Sequence, residues 1–382
     1  MTAGVDDRSP QPTTVIVDVR VFDGHVVSDP TAVTLSGASI LGVESSAIGD
    51  PQLVVDGGGG VLLAGLIDAH VHLDGSEALQ LNRRWGVTTV LDMAIHPPSL
   101  LRSLRDQPGL PDVRSAGMPA SAPGGTQTTR MGFPPETALS GPHQAEAFVA
   151  ARVAEGSDYL KIIVEDPRRM GLAALTQPTL DALVVAGRAR GLRTVAHASS
   201  TAAERMALDA GVDVLTHAPV DADLPPELIQ RAHTQHTALI PTLTMMETVV
   251  ANVPQRPGGG TAPDYTHCRA TVADMYRRGV PVLAGTDANT APGSPMQVPH
   301  GVSLHHELEL LVDAGLTPVD AVRAATVLPA RTFALDDRGR VAPGLRADLI
   351  LIDGDPTIDI TSTRALRAVW CAGRRFDPPA TD

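Results

Sequence analysis

Two histidines, His70 and His72, stand two residues apart at the end of the apolar run Gly65-Leu66-Ile67-Asp68-Ala69-His70-Val71. In an extended strand, residues i and i+2 point to the same face, so both imidazoles project to one side. A single histidine at a strand end is ordinary hydrogen-bonding filler. Two on one buried face are costly unless they share a partner, and a divalent cation is such a partner. His197 closes Thr194-Val195-Ala196, His217 closes Val214-Leu215-Thr216, and Asp287 follows Val282-Leu283-Ala284-Gly285-Thr286. Each taken alone reads as a solvated strand-end residue; together they form a nitrogen and oxygen donor set without thiolate. That set suits zinc, and manganese, cobalt or iron on ligand type alone.

Lys161 lies inside the apolar run Tyr159-Leu160-Lys161-Ile162-Ile163-Val164, where an ammonium should not be buried. Desolvation beside cations lowers its pKa and leaves a neutral, nucleophilic amine. Such an amine can add CO2, and the resulting carbamate is a negatively charged bridge between two metal ions. The competing reading puts Lys161 on an outer face, its ammonium snorkelling between helices. Asp287 has a second use, since a carboxylate at a metal-held water can take its proton and pass it to a leaving group. Metal binding brings that water's pKa towards ~7.

These residues need a scaffold that gathers strand ends. Eight short apolar runs, at 62–69, 88–93, 113–118, 159–164, 193–198, 212–218, 237–242 and 280–286, alternate with helical patterns at 77–85, 145–154, 179–190 and 202–210. That alternation predicts βα units and a (β/α)8 TIM barrel, whose active sites lie at the carboxyl ends of the strands. Residues 119–143 and 243–265, the latter carrying Gly258-Gly259-Gly260, read as long loops forming lids or substrate walls. Both chain ends have a different texture, with short strands at 15–22, 34–43 and 53–55, and again at 347–352 and 368–372. The expected division is therefore a small sheet domain from 1–61 plus 335–382, which the resemblance given below makes a β-sandwich, and a barrel from 62–334.

Composition narrows the function. The chain has 382 residues, 30 Lys plus Arg against 43 Asp plus Glu, and a formal net charge of −13, which argues against nucleic acid or an anionic membrane as partner. Aromatic residues are only 3%, too few for a base-stacking surface. The two cysteines, Cys268 and Cys371, form no CxxC pair and predict neither a disulfide scaffold nor a thiolate zinc site. Residues 1–14 are polar with no apolar signal core, and no run reaches the ~20 residues of a membrane span. The expectation is a cytoplasmic protein acting on a small molecule, with homo-oligomerisation open. Gly57–Gly60 lacks GxGxxG or P-loop form, no GxSxG elbow is present, and His233 and His236 lack a zincin glutamate.

With these residues in view, the sequence resembles the amidohydrolase superfamily of metal-dependent hydrolases. The resemblance rests on Gly65–His72, Gly86–Met93, Gly285-Thr286-Asp287, Leu310–Pro318, Ala324-Ala325-Thr326 and Gly339–Leu349, and spans about residues 14–376. The chain is similar to the prolidase-like and imidazolonepropionase-like branch. That resemblance implies a binuclear centre, with His70, His72 and Asp287 on the more buried metal and His197 and His217 on the more exposed one. Carbamylated Lys161 would bridge both. It also implies attack by a metal-bridging hydroxide on an amide or related acyl bond, with Asp287 shuttling the proton.

The chain departs from the branch where substrate is met. Peptide-cleaving relatives often show His-Ala-His-Gly at the fifth strand, whereas this chain has Ala196-His197-Ala198-Ser199-Ser200; Glu165-Asp166-Pro167-Arg168-Arg169 replaces a Gly-rich loop. His300, Arg130 and Tyr159 are substrate-side candidates; His300 has an ordinary alternative as a loop cap and Arg130 as a solvated charge, and Tyr159 shares the parity of Lys161 at the start of its strand. Arg168 and Arg169 are weighed as carboxylate clamps and His96 as a turn residue. Two other functions remain open. One is a mononuclear deaminase using His70, His72, His197 and Asp287 with Lys161 unmodified. The other is a non-catalytic metal-binding protein.

Overall fold

The computed structural model describes residues 13–168, 173–252, 262–290 and 296–379. Arg169 and the glycine run at 258–260 lie outside the described residues, as do most of the N-terminal tail and the last three residues.

Both ends of the chain build one eight-stranded mixed sheet. Its strands are β1 (Thr13–Val21), β2 (Thr31–Ser36), β3 (Ser39–Glu44), β4 (Leu53–Asp56) and β5 (Val61–Ala64) from the first part. The C-terminal members, numbered in chain order after seven central strands, are β13 (Leu349–Ile352), β14 (Leu366–Cys371) and β15 (Arg374–Phe376). The pairing path runs β15-β14-β13-β5-β1-β2-β3, with β4 beside β1. Two sequence expectations are corrected here. The run at 34–43 is a hairpin, because Gly37 takes a left-handed φ of 53° and turns β2 into β3. The run at 62–69 is two strands: β5 pairs with β1 and β13, and after Gly65 the chain leaves for the centre. Sheet pairing thus extends past the expected boundary at 61. Ile16, Val33, Leu35, Leu62, Leu349 and Trp370 belong to a buried apolar cluster drawn from both chain ends.

The centre has the βα layering of a TIM-barrel-type α/β fold. Strands β6 (Leu66–Val71), β7 (Val87–Asp92) and β8 (Asp112–Ser115) form one parallel sheet. A second contains β9 (Leu160–Ile163), β10 (Thr194–His197), β11 (Val214–Thr216) and β12 (Ala238–Ile240). The eighth expected strand forms no ladder. Its pairing is confined to isolated parallel bridges, Leu239 to Val282 and Val71 to Ala288, while Ala120 to Ile162 joins the two sheets. Alternation sorts the side chains: Leu160, Ile162, Ala196 and Leu215 pack outward under the helices, whereas Tyr159, Val195, Val214 and Ile240 fill the interior with Ile67, Leu91 and Leu283. Above this apolar plug, the strand ends and the inward-facing Lys161 are left for polar chemistry.

The region expected as a loop from 243 begins as a helix, Leu243–Asn252. Its opening residues are amply apolar, and the first backbone N–H groups find a buried carboxylate, described below. The segment 119–143 folds back on itself, with Ser121 paired to Ala138 and short helical turns at Thr126–Thr129 and Pro135–Thr137. No helix among the described residues is long and apolar enough to cross a membrane. Cys268 and Cys371 are both buried and free.

Candidate metal centre

Four imidazoles and a carboxylate meet at the strand ends. Nε2 of His70 lies 3.2 Å and Nε2 of His72 2.9 Å from Oδ1 of Asp287, and the two rings stand edge to face at 5.3 Å. The β6–β7 register slips on either side of Asp68, and both rings still reach one point. Nε2 of His217 lies 2.9 Å from Nδ1 of His197, and Nδ1 of His217 is 3.9 Å from Oδ2 of Asp287. Asp287 itself has a φ of 58°, left-handed backbone that aspartate tolerates better than most residues and that is stored where a site demands it.

The outer partners decide what these rings offer. Nδ1 of His70 bonds Oγ1 of Thr216 at 2.8 Å, and Nδ1 of His217 bonds Oγ1 of Thr242 at 2.6 Å. Oε1 of Glu165 lies 3.9 Å from Nε2 of His197. With the ring proton of His70 and His217 on the Nδ1 atom that meets a threonine hydroxyl, Nε2 of each carries the lone pair that a cation would take up. Donors about 3 Å apart suit neighbours around a shared cation with bonds of ~2.0–2.1 Å. The residues therefore fit a divalent metal, and donor atoms of His70, His72 and Asp287 lie within 4.8 Å of one another.

Electrostatics agree with a donor role. Burial, then the charge of Lys161, pushes His70 down to about 3 and His197 to about 4. Burial and the nearby His197 hold His217 well below its ordinary value. These rings stay neutral at physiological pH, as ligands must. Burial opposes charge on His72 as well, but the hydrogen bond to Asp287 and the charges of Asp287 and Asp92 together outweigh it and raise this ring. Burial alone would raise Asp287; the adjoining His70 and His72 instead hold it well below the usual carboxylate range.

Lys161 is 2% exposed, and its Nζ has no hydrogen-bond partner. It shares strand parity with the interior residue Tyr159, so it faces inward rather than between the outer helices. Burial pushes its ammonium down to about 7, against the opposing pull of Asp287 and Asp92.

The substrate-side candidates fare differently. His300 is 2% exposed, with Nδ1 3.5 Å from Nδ2 of Asn82 and Nε2 unpartnered. Tyr159 donates its hydroxyl to the Asp92 carbonyl at 2.7 Å and packs edge-on against Phe333, so its one proton is committed to backbone. Arg130 is exposed at the end of a short turn. Arg168 is exposed and forks onto Asp166 at 3.0 and 3.1 Å, and His96 is exposed.

Sequence reasoning missed the layer behind the donors. Asp68 accepts the His70 N–H at 3.2 Å, the Thr286 N–H at 3.1 Å and the Thr286 hydroxyl at 2.7 Å, tying β6 to the segment that carries Asp287. Asp92 accepts from Leu73 N–H at 3.0 Å and from the Ser115 hydroxyl at 2.6 Å. Burial raises Asp68 to about 7 and Asp92 to about 6. A carboxylate within an apolar run, inside the strand for Asp68 and at its last residue for Asp92, was the available signal.

The chain belongs to the amidohydrolase family, whose model matches residues 61–375. It is thus an enzyme of the class that acts on C–N bonds of small molecules. Over 391 aligned residues it is 29% identical to an uncharacterised protein of Mycobacterium tuberculosis, covering 96% of this chain and 94% of that one. It is 28% identical to an adenine deaminase of Nitratidesulfovibrio vulgaris, covering 93% of this chain but only 56% of the deaminase. Among solved structures, a Xaa-Pro dipeptidase with bound methionine superposes with a TM-score of 0.80 at 22% identity, covering 96% of this chain and 100% of that one. That last likeness is one of fold.

Proposed function

We propose that this protein hydrolyses an amide bond, peptide-like or N-acyl, or a related acyl bond, at a centre built for two divalent cations. His70, His72 and Asp287 would hold one, His197 and His217 the other, and Lys161, carbamylated by CO2, would bridge them. The observation that carries this reading is Lys161: a buried, unpartnered amine near neutrality beside four imidazoles and a carboxylate. In forming the carbamate, the neutral amine adds to the carbon of CO2, a new N–C bond forms and one proton leaves to solvent. An ammonium that burial disfavours becomes an anion that cations favour.

When bound, the cations, zinc on this donor set, supply Lewis-acid polarisation of the carbonyl and a water acidified towards neutrality. The chain's own groups do the rest. Asp287 receives the water's proton on its carboxylate and returns it to the leaving nitrogen. Thr216 and Thr242 hold His70 and His217 in orientation through their Nδ1 atoms. His300, which burial pushes down to about 4 and so keeps neutral, is the side chain assigned to the substrate wall. The same reading takes the central sheets as a closed barrel over 62–334 and the terminal strands as a β-sandwich unit; the three isolated bridges and the separate apolar cluster support it.

A single-cation deaminase is the second reading, favoured by the tight His70, His72 and Asp287 group and by the deaminase among the relatives. Elemental analysis and 13C NMR after equilibration with 13C-bicarbonate separate the two. Two cations per chain, and a carbamate resonance lost in Lys161→Ala, are expected. One cation, no resonance and ammonia release from an aminated ring would select the deaminase.

A further inference from the structure

Glu307 is fully buried, 0% exposed, on the helix Val302–Asp313, yet it touches no candidate ligand. Its carboxylate is aimed at the start of the helix Leu243–Asn252. Oε1 accepts the Leu243 N–H at 2.9 Å, and Oε2 accepts the Thr244 N–H at 2.8 Å and the Thr244 hydroxyl at 2.9 Å. These are opening N–H groups that a helix cannot satisfy internally, and their hydrogen bonds offset part of the burial that raises this carboxyl to about 7. Immediately before them stands Thr242, a β-branched residue in left-handed backbone with φ 49°. That conformation is costly and persists only when its surroundings enforce it. The Thr242 carbonyl accepts the Met246 N–H at 3.0 Å, and its hydroxyl meets Nδ1 of His217 at 2.6 Å.

We propose that Glu307 is a positioning residue for His217. By clamping the N-terminus of helix 243–252 it fixes the backbone of Thr242, whose hydroxyl then accepts the Nδ1 proton of His217. This leaves the Nε2 lone pair directed at His197 and the cation position. The inference rests on the proposed metal centre for its functional consequence, but the tautomer it specifies belongs to the metal-free protein.

Two measurements on the intact chain test it. Long-range 1H–15N NMR of metal-free protein reads which nitrogen of His217 is protonated, and titration with Zn2+ alone against a competing chelator reads affinity. Glu307→Gln replaces one acceptor by a donor facing an N–H; Glu307→Asp keeps the carboxyl group but withdraws it by one methylene. Each is expected to mix the His217 tautomers and weaken Zn2+ binding about 10–100-fold, the range seen when outer partners of ligands are removed. Thr242→Val should do the same, Thr242→Ser should retain both properties, and Glu307→Gln/Thr242→Val should be no worse than Thr242→Val. Either folded Glu307 variant decides. Wild-type tautomer and affinity in it, or losses that add in the double variant, overturn the proposal. If wild type binds no Zn2+ while the tautomer still shifts with Glu307, the metal reading fails and the positioning role stands.

Discussion

Replacing Lys161 by methionine should make the metal-free protein more stable, not less. Nζ is buried without a partner, and burial lowers the ammonium from about 10.5 to about 7. Between those values the unfolded chain binds a proton that the folded chain sheds, so stability rises with pH across the window, by at most ~1.4 kcal/mol per pH unit. Over the whole window this is roughly 4–5 kcal/mol, and at pH 7 nearly all of it opposes folding. Methionine matches the length of the stem and carries no charge, so in chelator and CO2-free buffer the variant should gain a few kcal/mol at pH 7. The gain should shrink steadily towards pH 9.5. Urea unfolding at several pH values measures it. Adding Zn2+ and bicarbonate should reverse the order, because only the wild type can form the bridging anion and be stabilised by cation binding. Equal stability and equal pH slope for the two metal-free proteins would refute the buried-amine argument. Equal stabilisation by Zn2+ with and without Lys161 would refute the bridge.

Asp287→Asn should lower turnover by 10^2-fold or more, since it weakens a ligand and removes the proton carrier; a wild-type-like rate in a metal-replete sample contradicts the shuttle. Chelation should abolish activity and Zn2+ should restore it, whereas persistent turnover in protein shown to be metal-free contradicts the mechanism. Glu204 is 0% exposed with neither carboxylate oxygen bonded, and burial raises it well above its ordinary value. The folded state then holds a proton that the unfolded chain loses above pH ~4.5, so this group costs stability as pH rises. Glu204→Gln should therefore stabilise at pH 7 by about 1–3 kcal/mol in urea unfolding, and a loss would show an unseen partner. Gly301 has φ 75°, and a Cβ there would lie 2.5 Å from the Leu81 carbonyl oxygen; Gly301→Ala should cost about 2 kcal/mol or more, and an unchanged midpoint would contradict the packing beside His300.

What the sequence made legible was what repeats locally. His70, His72, His197, His217 and Asp287 each end an apolar run, and strand-end polarity is readable without knowing where the strands go. Period-two alternation put Lys161 on one face with Tyr159, and the buried interior position of Tyr159 in the structure makes that face the inner one. Boundaries were less legible, because Gly65 interrupts a continuous apolar run only through its tertiary partners: its N–H donates to Asp348, almost 300 residues away in the chain, at 2.8 Å. The helix Leu243–Asn252 was read as loop for a related reason, since its N-terminal anchor is Glu307, on a helix sixty-odd residues later.

The same contrast explains why the candidate donors were legible in the sequence and their supports were not. A metal ligand must be His, Asp or another of a few residue types, so its identity is informative in the sequence. A residue that orients a ligand can be any hydroxyl, carboxylate or carbonyl at the right place. Thr216 and Thr242 look like ordinary β-formers, and Glu307 sits within a helical, amphipathic stretch where a glutamate is expected on the solvent side. Its burial against two N–H groups is visible only in three dimensions. The two layers should therefore respond differently to substitution. On the proposed centre, loss of a donor removes a cation outright, whereas loss of a support leaves every donor present and changes only which nitrogen carries the lone pair. That difference is measurable as lowered stoichiometry in the first case and lowered affinity at full stoichiometry in the second.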